Sequence, residues 1–313
     1  MIPKTKPQSR PMMPRTQIAP NSPVFSRMVY GTWRMLDDAP SAQDINRRLH
    51  LCLDLGITTI DGAEIYGGYA QEAALGAAMA LTPGLRDSLE LVTKSGIYVP
   101  NPSAPSRRAA HYDVTAKRLT ECVDAALMRL GTDRIDLFLI HRPDWLTSID
   151  DTANGLNALV KSGKIRSAGV SNYSPAQYAA LNSRMDQPLV TNQVEFSLLH
   201  MDPIFDGTFD QMQTDRVQPM AWSPLAGGSL FEGSSAVAQR LAKEAALIAP
   251  KYGDASLEQL AYAWVMAHPS KPVPVIGTNR INRIENAAKS VAIALDREDW
   301  FGLWVAAKGH GIP

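Results

Sequence analysis

Eight short apolar runs, separated by amphipathic helical stretches, constrain this chain more than any other feature. The runs are Val29–Gly31, Ile57–Ile60, Leu89–Thr93, Ile135–Ile140, Ile165–Val170, Val190–Val194, Gln218–Trp222 and Val273–Ile276. They lack clean apolar–polar alternation, so each reads as a parallel strand covered on both faces. Between them the helical period takes over. Ala42–Leu55 follows Ser41, a good N-cap, and stops at Gly56. Pro175–Asn182 starts with a proline behind Ser174. Ala70–Ala80, Val114–Leu130, Asp151–Lys161, Ala236–Tyr252, Leu257–Ala267, Asn282–Ser290 and Arg297–Ala307 repeat the pattern, and residues 202–215 are less regular. Strand and helix alternating eight times predict a parallel α/β protein. A doubly wound open sheet would also satisfy that order. Eight units in about 290 residues match a closed barrel, and no G-x-G-x-x-G follows the first run. The expectation is a single (β/α)8 TIM barrel over residues 24–313.

Charge and cysteine usage narrow the partners. Lys plus Arg and Asp plus Glu both count 31, so the formal net charge is +0. Nucleic-acid and membrane-surface proteins usually carry a basic excess, so neither partner is expected. Cys52 and Cys122 sit among apolar neighbours in helical stretches and read as buried small hydrophobes. No apolar run approaches the roughly 18 residues of a membrane span. Residues 1–23 contain six prolines and four basic residues (Lys4, Lys6, Arg10, Arg15) with no acid. They read as an extended tail. They lack the apolar stretch of a secretory signal, so the expected location is cytoplasmic.

Chemistry in a parallel barrel collects at the C-terminal strand ends. The second run leads into Asp61 and, five residues on, Tyr66. The third ends at Lys94 and the fourth at His141. The fifth ends at Ser171–Asn172, the sixth carries Gln193, the seventh ends at Trp222–Ser223, and the eighth runs into Gly277–Thr278 with Arg280 and Arg283 beyond. Tyrosine is a poor acid at neutral pH because its pKa is about 10. A lysine ammonium about 4 Å away attracts the phenolate by roughly 4 kcal/mol at an effective dielectric of about 20. The expectation is therefore a phenol pKa pulled down, against an opposing effect of burial. An aspartate beside the lysine keeps it charged and fixes it. Asp–Lys–Tyr thus makes a relay for protonating a developing alkoxide, with a histidine N–H orienting the carbonyl oxygen. No H-x-H or H-E-x-x-H spacing occurs, so no metal is expected. Hydride addition to a carbonyl then requires a cofactor.

The motifs Asp61-Gly-Ala-Glu-Ile-Tyr66-Gly, Leu-Val-Thr-Lys94, Asp136-Leu-Phe-Leu-Ile-His141-Arg-Pro, Gly169-Val-Ser-Asn172, Asn192-Gln193-Val-Glu and Ala221-Trp222-Ser-Pro-Leu resemble the aldo-keto reductase superfamily. Tyr66-Gly-Gly-Tyr69 and the stretch 216–228 are similar to its bacterial YdhF-like oxidoreductase branch. The resemblance covers about residues 24–300, in the family's order. It implies a barrel binding extended NADP(H), and NADPH-dependent reduction of an aldehyde or ketone. Asp61, Tyr66, Lys94 and His141 match the catalytic tetrad. Ser171, Asn172 and Gln193 match the nicotinamide carboxamide site, and Trp222, followed by Ser223, Pro224 and Leu225, matches the nicotinamide platform. Gly31, Thr32 and Trp33 match a strand end beside the cofactor. Gly277, Thr278, Arg280, Arg283 and Asn286 match the adenosine 2′-phosphate and adenine region, although the spacing from Arg283 to Asn286 is one residue short. Gly62 stands where the family commonly has threonine. The resemblance also favours a monomer.

Residues 95–113, with three prolines, are expected to form a substrate-side loop. Trp33, Tyr98, Trp145, residues 225–233 and the C-terminal stretch 304–313 are candidate walls of an apolar cleft for a small-molecule carbonyl substrate. Two other readings stay open. A cofactor-binding regulatory or scaffold protein would share fold and pocket without turnover. A Schiff-base lyase would use Lys94 as nucleophile, which Asp61 would hinder by keeping the amine protonated.

Overall fold

The computed structural model describes residues 13–101 and 108–312. Eight parallel strands close into one barrel: β1 Val29–Gly31, β2 Thr59–Asp61, β3 Glu90–Ser95, β4 Leu137–Ile140, β5 Ala168–Ser171, β6 Asn192–Glu195, β7 Met220–Trp222 and β8 Val273–Ile276. Each strand pairs with the next in sequence. β8 closes on β1 through Val275↔Val29 and Ile276↔Tyr30, and β5 meets β6 through Gln193↔Ser171. Helices cover the outside and bury their apolar stripes against the strands. A second apolar cluster lies outside β6 and β7, where Trp264 and Trp300 stack at 4.8 Å and each indole N–H donates to the other's carbonyl.

Most of the paired strands start one to three residues after their apolar runs. The run marks burial, and burial begins on the turn residues beneath the barrel before the ladder bonds engage. The shift matters functionally: Asp61 and Lys94 lie inside β2 and β3, with backbones fixed by the ladder. Capping boxes form at Ser41 and Ser174 as their sequences suggest. The helix expected from Val114 instead starts at Ala116, because the Thr115 side chain caps it by accepting from the Arg118 N–H.

The N-terminal tail needs correction. The sequence expectation placed residues 1–23 in an extended tail; Lys4, Lys6 and Arg10 lie outside the described residues. Residues 13–23 belong to the fold. Arg15–Gln17 pairs antiparallel with Val24–Ser26 in a hairpin across the N-terminal strand ends. Met13, Ile18 and Ala19 are buried in the main core. The Ile18 carbonyl accepts from the Gln218 N–H at 2.6 Å, and Arg15 bonds Glu90 at 2.7 Å. Proline and basic composition describe the average of the segment and hide the three apolar residues that seal the barrel floor.

Ile18 is 0% exposed. We expect Ile18→Ala to lower unfolding free energy by about 2–5 kcal/mol, as for a core residue. Chemical denaturation checks this; a change within about 0.5 kcal/mol would mark a surface position.

Candidate active site

The C-terminal strand ends surround a cleft of about 430 Å3. Its floor is built around Lys94, which is 1% exposed. The ammonium donates to Asp61 Oδ2 at 2.7 Å, to the Gly62 carbonyl at 2.8 Å and to the Tyr66 hydroxyl at 3.3 Å. An ammonium has three N–H donors, and all three are used. The turn that delivers Tyr66 is pinned by backbone bonds from Gly62 to Val92 and from Glu64 to Lys94, each 2.8 Å. Gly62 is explained by its neighbour: a Cβ there would lie 2.8 Å from Gln71 Oε1, so the glutamine occupies the space a side chain would need.

The other Asp61 oxygen accepts from Gln193 Nε2 at 3.0 Å. Gln193 therefore touches the Asp61–Lys94 pair itself as well as lining the cleft. Asn172, held at a positive φ of 60°, donates to Ser171 Oγ at 2.8 Å and accepts from the Trp222 indole N–H at 3.0 Å. That chain fixes the edge of Trp222 and makes the β5–β7 ends a rigid platform.

Electrostatics depart from the sequence expectation at Tyr66. Burial raises its pKa above the ordinary 10.0, and the nearby Lys94 ammonium offsets only part of that rise. The phenol thus stays protonated at neutral pH. Burial pushes the Lys94 pKa down, but the Asp61 carboxylate and the Tyr66 hydroxyl outweigh it, so its pKa is raised. A protonated lysine lacks the lone pair that a Schiff-base nucleophile needs, which counts against the lyase reading. Burial, Lys94 and Arg142 together push His141 well below the ordinary 6.5, leaving a neutral imidazole. Its ring stands edge-on to Tyr66, with centroids 5.8 Å apart. Its Nδ1 is buried with no hydrogen-bond partner among the described residues.

Most residues expected from the sequence meet here. Asp61, Tyr66, His141, Gly31, Trp33, Ser171, Asn172, Gln193, Trp222, Ser223, Pro224, Leu225, Gly277, Thr278 and Arg283 line the cleft. Lys94 lies directly beneath. Three do not line it. Thr32 is fully buried, and its hydroxyl donates to the Asp61 carbonyl, bracing the strand end. Arg280 is exposed at the start of the helix Ile281–Lys289. Asn286 donates to Glu258 Oε2 at 3.0 Å. Glu258, which lines the cleft, also faces Arg283 Nε at 3.6 Å.

Among the candidate walls, Trp33, Leu225 and Phe231 line the cleft, whereas Tyr98 and Trp145 do not. Nor does the C-terminal stretch, where Trp304 is packed in the second apolar cluster. The loop after Lys94 is tied at its base by Ile97–Tyr98 pairing with His111–Tyr112, and residues 102–107 lie outside the described residues. Sequence reasoning missed Arg34, Ile65, Arg142 and Glu258 as lining residues. Arg142 had a signal, being adjacent to His141. Glu258 had none, since its helix reaches the cleft only through packing.

The site suits an extended dinucleotide on one structural observation. Gly227 and Gly228 line the cleft at positive φ of 67° and 111°, and a Cβ on either would meet nothing within 4 Å. Bare backbone there leaves room for a ligand to approach closely. Arg283 at the β8 end and the Asn172–Trp222 platform bracket it.

The comparisons with known proteins agree with this architecture. Residues 27–303 match the model of the Aldo/keto reductase family. A 6-dehydroglucose reductase of Agrobacterium fabrum is 47% identical over 92% of this chain and 96% of its own. Oxidoreductase YdhF of Escherichia coli is 43% identical over 96% of this chain and all of its own. A crystal structure of an aldo/keto reductase from Klebsiella pneumoniae, in complex with NADP and acetate, is similar with a TM-score of 0.72 at 28% identity, covering 90% of each chain.

The electrostatics generate a pH prediction. An acid with a raised pKa stays competent until pH climbs through that raised value, and a neutral His141 does not titrate near 6.5. We expect kcat/KM for carbonyl reduction to show no break between about pH 6 and 8. Lys94→Met removes the one strong influence that lowers the phenol pKa, so its alkaline limb should move higher while the plateau falls. A rate-against-pH series on both proteins checks it; a limb moving to lower pH would contradict the coupling.

Proposed function

This chain belongs to the aldo/keto reductase family, in its YdhF-like branch, and on that premise we propose that it is an NADPH-dependent reductase converting an aldehyde or ketone to the alcohol. The observation that carries the reading is the Lys94 ammonium joined to both Asp61 and Tyr66 on the cleft floor. When bound, reduced nicotinamide supplies the hydride. Tyr66 gives its proton to the alkoxide oxygen as negative charge develops there. Lys94 stabilises the phenolate left behind, at 3.3 Å, and Asp61 holds Lys94 in place. Neutral His141 offers a hydrogen bond that orients the carbonyl oxygen without adding a charge to the floor. Ser171, Asn172 and Gln193 are the residues to hold the carboxamide, with Trp222 as platform and Arg283 facing the 2′-phosphate. The activity named for the Agrobacterium relative makes a sugar-derived aldehyde the first substrate class to try. The charged Lys94–Asp61 pair bonded to the Tyr66 hydroxyl favours turnover over a scaffold role, because a binding protein needs no proton donor at the cleft floor.

Tyr66→Phe should lower kcat by about 10²–10⁴-fold while NADPH affinity stays within a few-fold. Steady-state rates together with cofactor fluorescence titration separate the two; retention of more than a tenth of the rate, with chemistry limiting, would reassign the acid.

Arg283→Ala should weaken NADPH by about 10- to 100-fold and leave NADH nearly unchanged, since only NADPH carries the phosphate that forms charge-assisted bonds. Arg280→Ala should weaken it less, because Arg280 lies outside the cleft lining. Titrating both cofactors against both variants checks the order; equal losses for NADPH and NADH would make Arg283 a support for the loop.

A further inference from the structure

The charges lining the cleft do not balance, and the imbalance has a location. Among the described residues two acids line it, Asp61 and Glu258. Both are committed. Asp61 accepts from Lys94 and Gln193, and Glu258 from Asn286 while facing Arg283. Three of the described arginines line it: Arg34, Arg142 and Arg283. Arg283 has Glu258. Arg34 leans on the neighbouring Trp33 ring, 5.2 Å away, at the exposed rim. Arg142 is half-buried beside His141, and its guanidinium has no hydrogen bond or ion pair among the described residues. Its charge is nonetheless felt by both Tyr66 and His141, so it stands close to the reacting end.

A guanidinium carries five donors in a planar fork, and those of Arg142 line the cleft without a protein partner among the described residues. A bound anion can take them through charge-assisted hydrogen bonds. The cofactor phosphates are poorly sited for the role. Arg283 follows β8, whereas Arg142 follows β4, four strands away in an eight-strand ring and so on the opposite side. The residues proposed for the nicotinamide come from β5, β6 and β7, which leaves the side beside β4 for the substrate.

We propose that Arg142 is the anion-binding residue of the substrate cleft, and that the substrate is a carbonyl compound bearing an oxyanion a few atoms from the carbonyl. The inference rests on the reductase reading, narrows it to an acidic aldehyde or ketone, and so departs from the neutral sugar aldehyde named for the Agrobacterium relative. The planar fork suits a carboxylate bound through two parallel N–H···O bonds, and a phosphate monoester offers the same geometry.

The experiment reads a ratio, so that any general loss of turnover in a variant cancels. With NADPH, kcat/KM is measured for succinic semialdehyde against butanal, and for glyceraldehyde 3-phosphate against glyceraldehyde. Wild type should prefer the charged member of at least one pair by about 10-fold or more, rising towards 10²-fold when both fork bonds form. Which pair responds tells carboxylate from phosphate. Arg142→Met should bring that ratio near one, and Arg142→Lys, which keeps charge without the fork, should fall between. A second measurement needs no turnover: succinate and inorganic phosphate titrated into the protein, followed by intrinsic tryptophan fluorescence, since Trp33 and Trp222 line the cleft. At least one should bind wild type, and that one should bind Arg142→Met at least about 10-fold more weakly. A wild-type ratio near one for both pairs, or a preference that survives Arg142→Met, overturns the proposal. If no carbonyl is reduced at all, the reductase reading fails, and the binding titration still decides the role of Arg142.

Discussion

Everything at the cleft floor depends on one buried ion pair. Lys94 and Asp61 are both within a few per cent of complete burial, 2.7 Å apart on adjacent strands. Leaving either charge alone at that depth would cost about 3–5 kcal/mol, so each enforces the other's position. Because the ammonium also takes the Gly62 carbonyl and the Tyr66 hydroxyl, the pair shapes the turn as well as the charge. Thr32 braces the Asp61 carbonyl from β1, and Gln193 reaches Asp61 from across the barrel. Four strands thus converge on one aspartate, three of them at its carboxylate, and the barrel's closure becomes part of the site's geometry.

Burial then sets the protonation states. Excluding water from the floor raises the tyrosine and neutralises the histidine, while the lysine keeps its charge only because its partners repay the cost of desolvation. The floor can hold a proton on an oxygen, keep an imidazole neutral and stabilise a phenolate at the same pH. Charge is used up close to the ion pair and left over further out. Glu258 ties Arg283 and Asn286 together on the β8 side, while Arg142 on the β4 side has no carboxylate partner among the described residues.

Much of this was legible from the chain, and the reasons for the gaps are physical. Strand ends are visible as apolar runs followed by polar residues, so Asp61, Lys94, His141, Asn172 and Trp222 could be singled out together. The direction of the Thr32 side chain is not legible from sequence, because a residue beside a strand end can face either the cleft or the neighbouring strand, and only the pairing with β2 decides. Arg280 and Arg283 look equivalent at helical spacing, yet one lines the cleft and the other faces solvent. The hairpin at the barrel floor was hidden by proline-rich composition, since three apolar residues suffice to seal it.

By itself the sequence determined the barrel and the membership of its floor, because hydrophobic period and the order of strand-end residues are local properties of the chain. Only the tertiary structure decided the balance of forces among those residues. The sequence argument had the lysine lowering the tyrosine pKa, but the outcome depends on how completely water is removed from around both, and that is a property of the closed barrel. Likewise, no linear order reveals that Glu258 answers Arg283 while nothing among the described residues answers Arg142. Pairing across a ring of eight strands is fixed by closure, and an unpaired charge becomes visible only when every neighbour is in place.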